Sequence, residues 1–237
     1  MTLTRLDKFI SDCGAASRRE IKQMIRAGRV TVNGAVAASP ELKLDPELAV
    51  VTLDGKRLVY QKYHYYMLNK PAGILSATDD KKQSTVLDLF PPELRKLDLF
   101  PVGRLDKDTT GLLIITDDGD FAHRVISPKS GIVKLYRAET EGPVTEEDAA
   151  AFREGVTLAD GTKCLPAELR LQPDGSCLIG VMEGKHHQVK RMLASRGKPV
   201  TALKRLAVGG LVLDGDLDEG EFRPLTEDEL CRVMRGK

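Results

Sequence analysis

The sequence predicts an α+β protein with a small N-terminal unit and a larger one behind it. Three observations predict this. The first residues carry two short helical patterns followed by a hairpin pattern. From Val59 onward, strand-like apolar runs at 65–68, 111–116, 178–181 and 208–213 alternate with turns and short helices. A length of 237 residues allows two unequal domains.

The elements follow in order. Thr4 and Asp7, with Leu6, Phe9, Ile10 and Cys13 at helical spacing, predict a capped first helix ending at Gly14. Ser17-Arg18-Arg19-Glu20 predicts a capping box, with Ile21, Met24 and Ile25 as the buried stripe and Gly28 as the stop. At about 100° per residue, Arg18, Arg19, Lys22 and Arg26 fall on a face turned away from that stripe. Val30-Thr31-Val32 then alternates into Asn33-Gly34, whose tolerance of positive φ suits a type I′ hairpin returning through Ala35-Val36. Tyr60, Tyr63, Tyr65 and Tyr66 crowd the junction of the two units and are expected to pack the linker against the larger domain. Later, Val189, Met192 and Leu193 give the buried side of a helix over 188–195.

Composition narrows the function. Apolar residues make up 41% and charged residues 30%, the balance of a globular chain. No apolar run is long enough to span a bilayer, and the N-terminus lacks a signal-peptide pattern, so a cytoplasmic protein is expected. Cys13, Cys164, Cys177 and Cys231 show no C-x-x-C spacing, and His186 and His187 are adjacent, unlike the i, i+4 pair of a helical zinc site. Asp214, Asp216 and Asp218 begin like a calcium loop, but Glu219 and Leu225 stand where glycine and glutamate are required. Neither phosphate-cradling glycine motif occurs, so no metal, nucleotide or redox cofactor is expected.

The 36 basic residues nearly balance 35 acidic ones, yet they are unevenly placed. Arg5, Lys8, Arg18, Arg19, Lys22, Arg26 and Arg29 outnumber the acids of residues 1–34, and residues 181–205 hold a second basic cluster against Glu183 alone. Acids collect in residues 214–230. Two separated basic patches on a neutral chain suggest a polyanion gripped locally, and solvated helix faces are the ordinary alternative.

The segments RLDKF and SRREIKQMIRAGRVTVNG resemble the S4 RNA-binding module, over about residues 5–51. Further on, Gly103-Arg104-Leu105-Asp106-Lys107-Asp108-Thr109-Thr110-Gly111 resembles the pseudouridine synthase signature. Met67-Leu68-Asn69-Lys70-Pro71 precedes it, and Lys134-Leu135-Tyr136 and Glu183-Gly184-Lys185-His186-His187-Gln188-Val189-Lys190-Arg191 follow in the order that family uses. With the S4-like front and the RPLTEDE end, the whole chain is similar to the RsuA type acting on small-subunit ribosomal RNA. The resemblance implies an S4-like domain and linker over 1–60 and a catalytic domain with a mixed, mainly antiparallel sheet over 61–237.

What it implies chemically is isomerisation of a specific uridine to pseudouridine in 16S ribosomal RNA. The N1–C1′ bond breaks, the uracil turns, C5 joins C1′ and the C5 proton leaves. Nothing is oxidised and no group is imported, so no cofactor is needed. By the resemblance Asp106 is the catalytic carboxylate, acting as a nucleophile or as a base on the sugar. Tyr136 would stack on the flipped base and take the C5 proton, and Lys190 would be the cation paired with Asp106, with Arg191 as its rival. Without the resemblance, Asp106 would read as a turn former and Tyr136 as a core ring. RNA contacts are expected from the N-terminal basic residues and from Lys70, Arg104, Lys185, His186, His187 and Arg191. The expected partner is ribosomal RNA or a small-subunit assembly intermediate, bound by a monomer. The same reaction on 23S RNA, and a non-catalytic S4-containing assembly factor, are the alternatives; a hydrolase acting on a glycosidic bond is more distant.

Overall fold

A computed structural model describes residues 3–235, apart from the side chain of Arg18. Its contacts group into two units, one running up to His64 together with Phe90–Leu99, the other comprising Tyr65–Leu89 and the chain from Phe100 onward.

In the first unit, strand β1 (Thr4–Arg5) leads into helix α1 (Leu6–Asp12), and α2 (Arg18–Arg26) follows. Strands β2 (Val30–Val32), β3 (Ala35–Val36), β4 (Lys43–Leu44), β5 (Val51–Leu53) and β6 (Lys56–Arg57) complete it. The expected cap on α1 is not made: Thr4 pairs with Leu44 in a strand, and Arg5 is the N-cap without a side-chain bond. The Ser17–Glu20 capping box is present. The hairpin turn has φ 50° at Asn33 and 84° at Gly34, the left-handed pair a type I′ turn requires. Leu6, Phe9, Ile10, Ile21, Ile25 and Val30 form the core of this unit.

The second unit is built on strands β7 (Tyr65–Lys70), β8 (Phe100–Pro101), β9 (Thr110–Thr116), β10 (Lys134–Thr140), β11 (Glu168–Leu171), β12 (Cys177–Val181), β13 (Val200–Val208), β14 (Leu211–Val212) and β15 (Phe222–Pro224). Its helices are α3 (Gly119–Ile126), α4 (Glu146–Glu154), α5 (Gln188–Ala194) and α6 (Glu227–Met234). The sheet runs β11-β12-β10-β13-β9-β7-β15, with β14 on β13 and β8 on β9. All of its pairs are antiparallel except β9 with β13, where Thr110 faces Lys204 and Gly111 faces Arg205. The mixed, mainly antiparallel α+β architecture is therefore the observed one. A Cβ on Gly111, whose φ is +98°, would lie 2.2 Å from the Arg205 carbonyl oxygen, so only glycine lets these two strands meet. Two cores pack on the sheet: one around Phe152, Ile179, Met192 and Leu193, the other around Met67, Leu112, Ile114 and Phe121.

One sequence expectation changes. The run over 208–213 is a hairpin: β13 ends at Val208, turns through Gly209-Gly210 and returns as β14. Of the tyrosines, Tyr60 stacks on Phe9, while Tyr65 and Tyr66 meet Phe121 and Phe222 edge-on. The acidic segment near the end is partly neutralised by Arg223, which binds Asp214 and Glu229 and holds the Glu229 carboxyl down at about 2. Among the described residues no helix is long and apolar enough to cross a membrane.

Candidate active site

The loop before β9 carries the carboxylate. Ser76 fastens it at Leu105, its hydroxyl donating to the Leu105 carbonyl at 2.9 Å and accepting from the Leu105 amide at 3.1 Å. The Gly73 amide donates to the Lys107 carbonyl at 2.8 Å, and the Thr109 amide turns back to the Asp106 carbonyl at 3.1 Å. Asp106 is thus presented just ahead of β9 by a loop fastened at Leu105, Lys107 and Thr109.

Helix α5 brings the cations. Lys190 Nζ stands 3.3 Å from Asp106 Oδ2 and 2.5 Å from Asp108 Oδ1, so it bridges both carboxylates. Its hydrogen bond holds the Asp108 carboxyl below the usual carboxylate range, against a smaller opposing effect of burial. His187 Nε2 lies 3.4 Å from Asp106 Oδ1, and its ring stacks on His186 with centroids 3.7 Å apart. His187 has a left-handed backbone, φ 49°, as the N-cap of α5. That conformation is uncommon for a side-chain-bearing residue and sits beside the carboxylate.

Tyr136, on β10, lines the same cleft of about 70 Å³ as Asp106, together with Leu105, Thr109 and Val189. On its other side Tyr136 meets Arg205 of β13, whose Nη1 donates to the phenol oxygen at 3.4 Å and whose guanidinium carbon is 5.9 Å from the ring centroid. The fold therefore brings Asp106, Tyr136 and Lys190 together from three distant parts of the sequence. A carboxylate beside an ammonium and an aromatic plane can hold a planar heterocycle while acting on an adjoining carbon.

The expected RNA contacts fare unevenly. Lys70 is corrected: it is fully buried, with Nζ donating to the carbonyls of Pro71 at 2.9 Å, Thr109 at 3.0 Å and Lys107 at 3.3 Å. It braces the Asp106 loop and cannot meet a ligand. Arg191 is drawn to Asp160 at 2.5 Å, so it does not rival Lys190 for Asp106, and Lys185 is paired with Glu183. In the first unit Arg5, Lys8 and Arg29 form ion pairs with Asp7, Asp12 and Asp54. Arg19, Lys22 and Arg26 remain exposed on α2, as does Arg104 at the mouth of the cleft; the side chain of Arg18 lies outside the described residues.

Sequence reasoning missed Lys134, Arg205 and Thr109. Lys134 and Tyr136 share one face of β10 by the two-residue period of a strand, a signal present in the KLY motif. Arg205 is buried on β13 two residues after the buried Leu203, and a cation within an otherwise apolar strand was the available sign. The Thr109 hydroxyl is buried without a hydrogen-bond partner.

Comparisons with known proteins identify the family. The model of the RNA pseudouridylate synthase family matches residues 64–195, and that of the S4 domain matches residues 4–50. The chain is 43% identical over 234 residues to the ribosomal small subunit pseudouridine synthase A of Escherichia coli (strain K12), covering 97% of this chain and 100% of that one. It is 42% identical over 230 residues to an uncharacterized RNA pseudouridine synthase of Bacillus subtilis (strain 168), covering 95% and 96% respectively. A crystal structure of a pseudouridylate synthase, 37% identical, superposes with a TM-score of 0.69 over 97% of this chain and 99% of that one. The chain belongs to the RNA pseudouridylate synthase family and is an isomerase of uridine in RNA.

Proposed function

We propose that this enzyme converts a specific uridine of 16S ribosomal RNA to pseudouridine. The observation that carries the chemistry is Asp106, within 3.3 Å of Lys190 and sharing one cleft with Tyr136. The RNA assignment is supported by the full-length similarity to relatives named for the ribosomal small subunit. In this reading Asp106 attacks the target nucleoside or takes a sugar proton, Lys190 supplies the opposing charge, and Tyr136 stacks on the displaced uracil with its hydroxyl poised for the C5 proton. The atoms of substrate and product are the same, so the reaction needs no imported group and no net oxidant or reductant. Residues 1–60 form the S4-like module that places the RNA, chiefly through the exposed Arg19, Lys22 and Arg26, and residues 61–237 form the catalytic domain. The enzyme works as a cytoplasmic monomer, on ribosomal RNA or on an assembling small subunit.

Flipping a base costs a few kcal/mol, and stacking on one ring returns about 1–3 kcal/mol. Phosphate contacts must supply the remainder, which makes binding salt-dependent. The test is to map pseudouridine in ribosomal RNA from cells lacking the protein and from cells restored with wild type or Asp106→Asn. One 16S site should vanish, return with wild type and stay absent with the variant, while purified Asp106→Asn still binds 16S RNA. A lost site in 23S RNA would redirect the substrate, and a restored site with the variant would remove Asp106 from the chemistry.

A further inference from the structure

Beyond Tyr136 lies a second cavity of about 650 Å³, within the range of sites that hold small ligands and far larger than the 70 Å³ cleft beside Asp106. Tyr136 and Arg104 line both. The lining of the larger cavity combines the apolar Val102, Ile126 and Pro128 with the cations Lys134 and Arg205. These two side chains are buried, at 8% and 4% exposure. Neither has a carboxylate partner among the described residues. Lys134 Nζ donates only to the Met182 carbonyl, at 3.4 Å. Arg205 donates from Nε to the Leu112 carbonyl at 2.7 Å and from Nη1 to Tyr136, and its Nη2 has no partner. Glu183, a carboxylate also lining the cavity, is committed to Lys185, Gln188 and the Leu165 amide.

Two buried positive charges with unfilled donors destabilise a fold unless something negative completes them. The cleft beside Asp106 is smaller than the cavity beyond Tyr136, and the strand on either side of a displaced uridine continues past it. A ribonucleic acid strand carries one negative phosphodiester per nucleotide, and the larger cavity opens next to the ring proposed to hold the uracil. We infer that Lys134 and Arg205 form a phosphate-binding subsite for a phosphodiester adjacent to the target uridine, with Val102, Ile126 and Pro128 against the sugar or base of that neighbouring nucleotide. The inference rests on the functional reading above and adds the place where the flanking strand is held.

The experiment measures binding of the full-length protein to a 16S ribosomal RNA transcript across a potassium chloride series, for wild type, Lys134→Gln and Lys134→Arg, with isomerisation by wild type followed on the same transcript. Loss of one phosphate contact should make the slope of log K against log salt shallower by about 0.7–0.9 in Lys134→Gln, and Lys134→Arg should restore it. Should Lys134→Gln fail to fold, acetic anhydride labelling of Lys134 in the wild-type chain supplies the answer: the transcript should protect it. An unchanged slope in folded Lys134→Gln, or equal labelling with and without RNA, overturns the subsite. Protection by inorganic phosphate but not by the transcript would mark a free-anion site and overturn the backbone assignment. If wild type makes no pseudouridine in this transcript, the functional reading falls and takes the subsite with it; if wild type is active and the slope is unchanged, the subsite alone falls.

Discussion

The surroundings of Lys70 and of Lys134 make an instructive pair. Both lysines are buried in the same sheet, at the end of β7 and the start of β10, and burial pushes both down to about 8. Around Lys70 three carbonyl oxygens complete the ammonium, and the side chain is a fastener for the Asp106 loop. Around Lys134 there is one long bond and a second cation, Arg205, which adds to the effect of burial. Burial of a cation therefore says little about its role until its donors are counted. A filled set marks a brace, and an open set beside a cavity marks a place for something else. Gly111 stands between the two regions, paired with Lys70 on one side and Arg205 on the other.

The contrast can be broken or sharpened by experiment. The largest effect is expected at its hinge: Gly111→Ala would drive a methyl group into the Arg205 carbonyl and should cost more than about 4 kcal/mol in urea unfolding, or yield insoluble chain. Near-native stability would mean that the two regions are not joined through this contact. Next, Lys70→Met strips three buried carbonyls of their donor and should lose about 2–5 kcal/mol, whereas Lys134→Met should lose much less. Equal losses would erase the distinction between brace and open site.

The smallest effect is in the pH profile. Because the folded-state value of Lys134 is about 8, below the ordinary lysine value, its charge is lost as pH rises through that point. Activity on RNA at limiting substrate should therefore decline above about pH 8, and Lys134→Arg, which stays charged, should flatten the decline. Stability moves the other way. From about 8 up to the unfolded value near 10.5 the unfolded chain binds more protons, so the contributions of Lys134 and Lys70 make the native state more stable as pH rises. A decline in activity that persists in Lys134→Arg would assign the titration to another group.

The features legible in the sequence were those encoded over a few residues. The Ser17 capping box, the Asn33-Gly34 turn and the apolar stripe of α5 each depend on neighbours within one or two turns. The loop carrying Asp106 was visible through its resemblance to a family signature. What could not be read locally was set by pairing between distant strands. Arg205 stands beside Tyr136 because β10 and β13 are adjacent, and Lys70 is buried because loop carbonyls close over it. Thr4, a good capping residue, was taken by a strand with Leu44, so tertiary pairing overrode the local preference. The glycines at 209 and 210 were turn signals inside an apolar run and split it in two.

The parallel pairing of β9 with β13 has a consequence for biosynthesis. The segment bearing residue 106 emerges from the ribosome long before its partner strand, which reaches back across more than a third of the polypeptide. Contacts of such sequence separation close late and slowly. A nascent chain halted before β13 would lack Arg205 and the strand that positions it, so the catalytic cleft is assembled only after residues 200–208 have been made, while the N-terminal unit draws most of its contacts from residues already made.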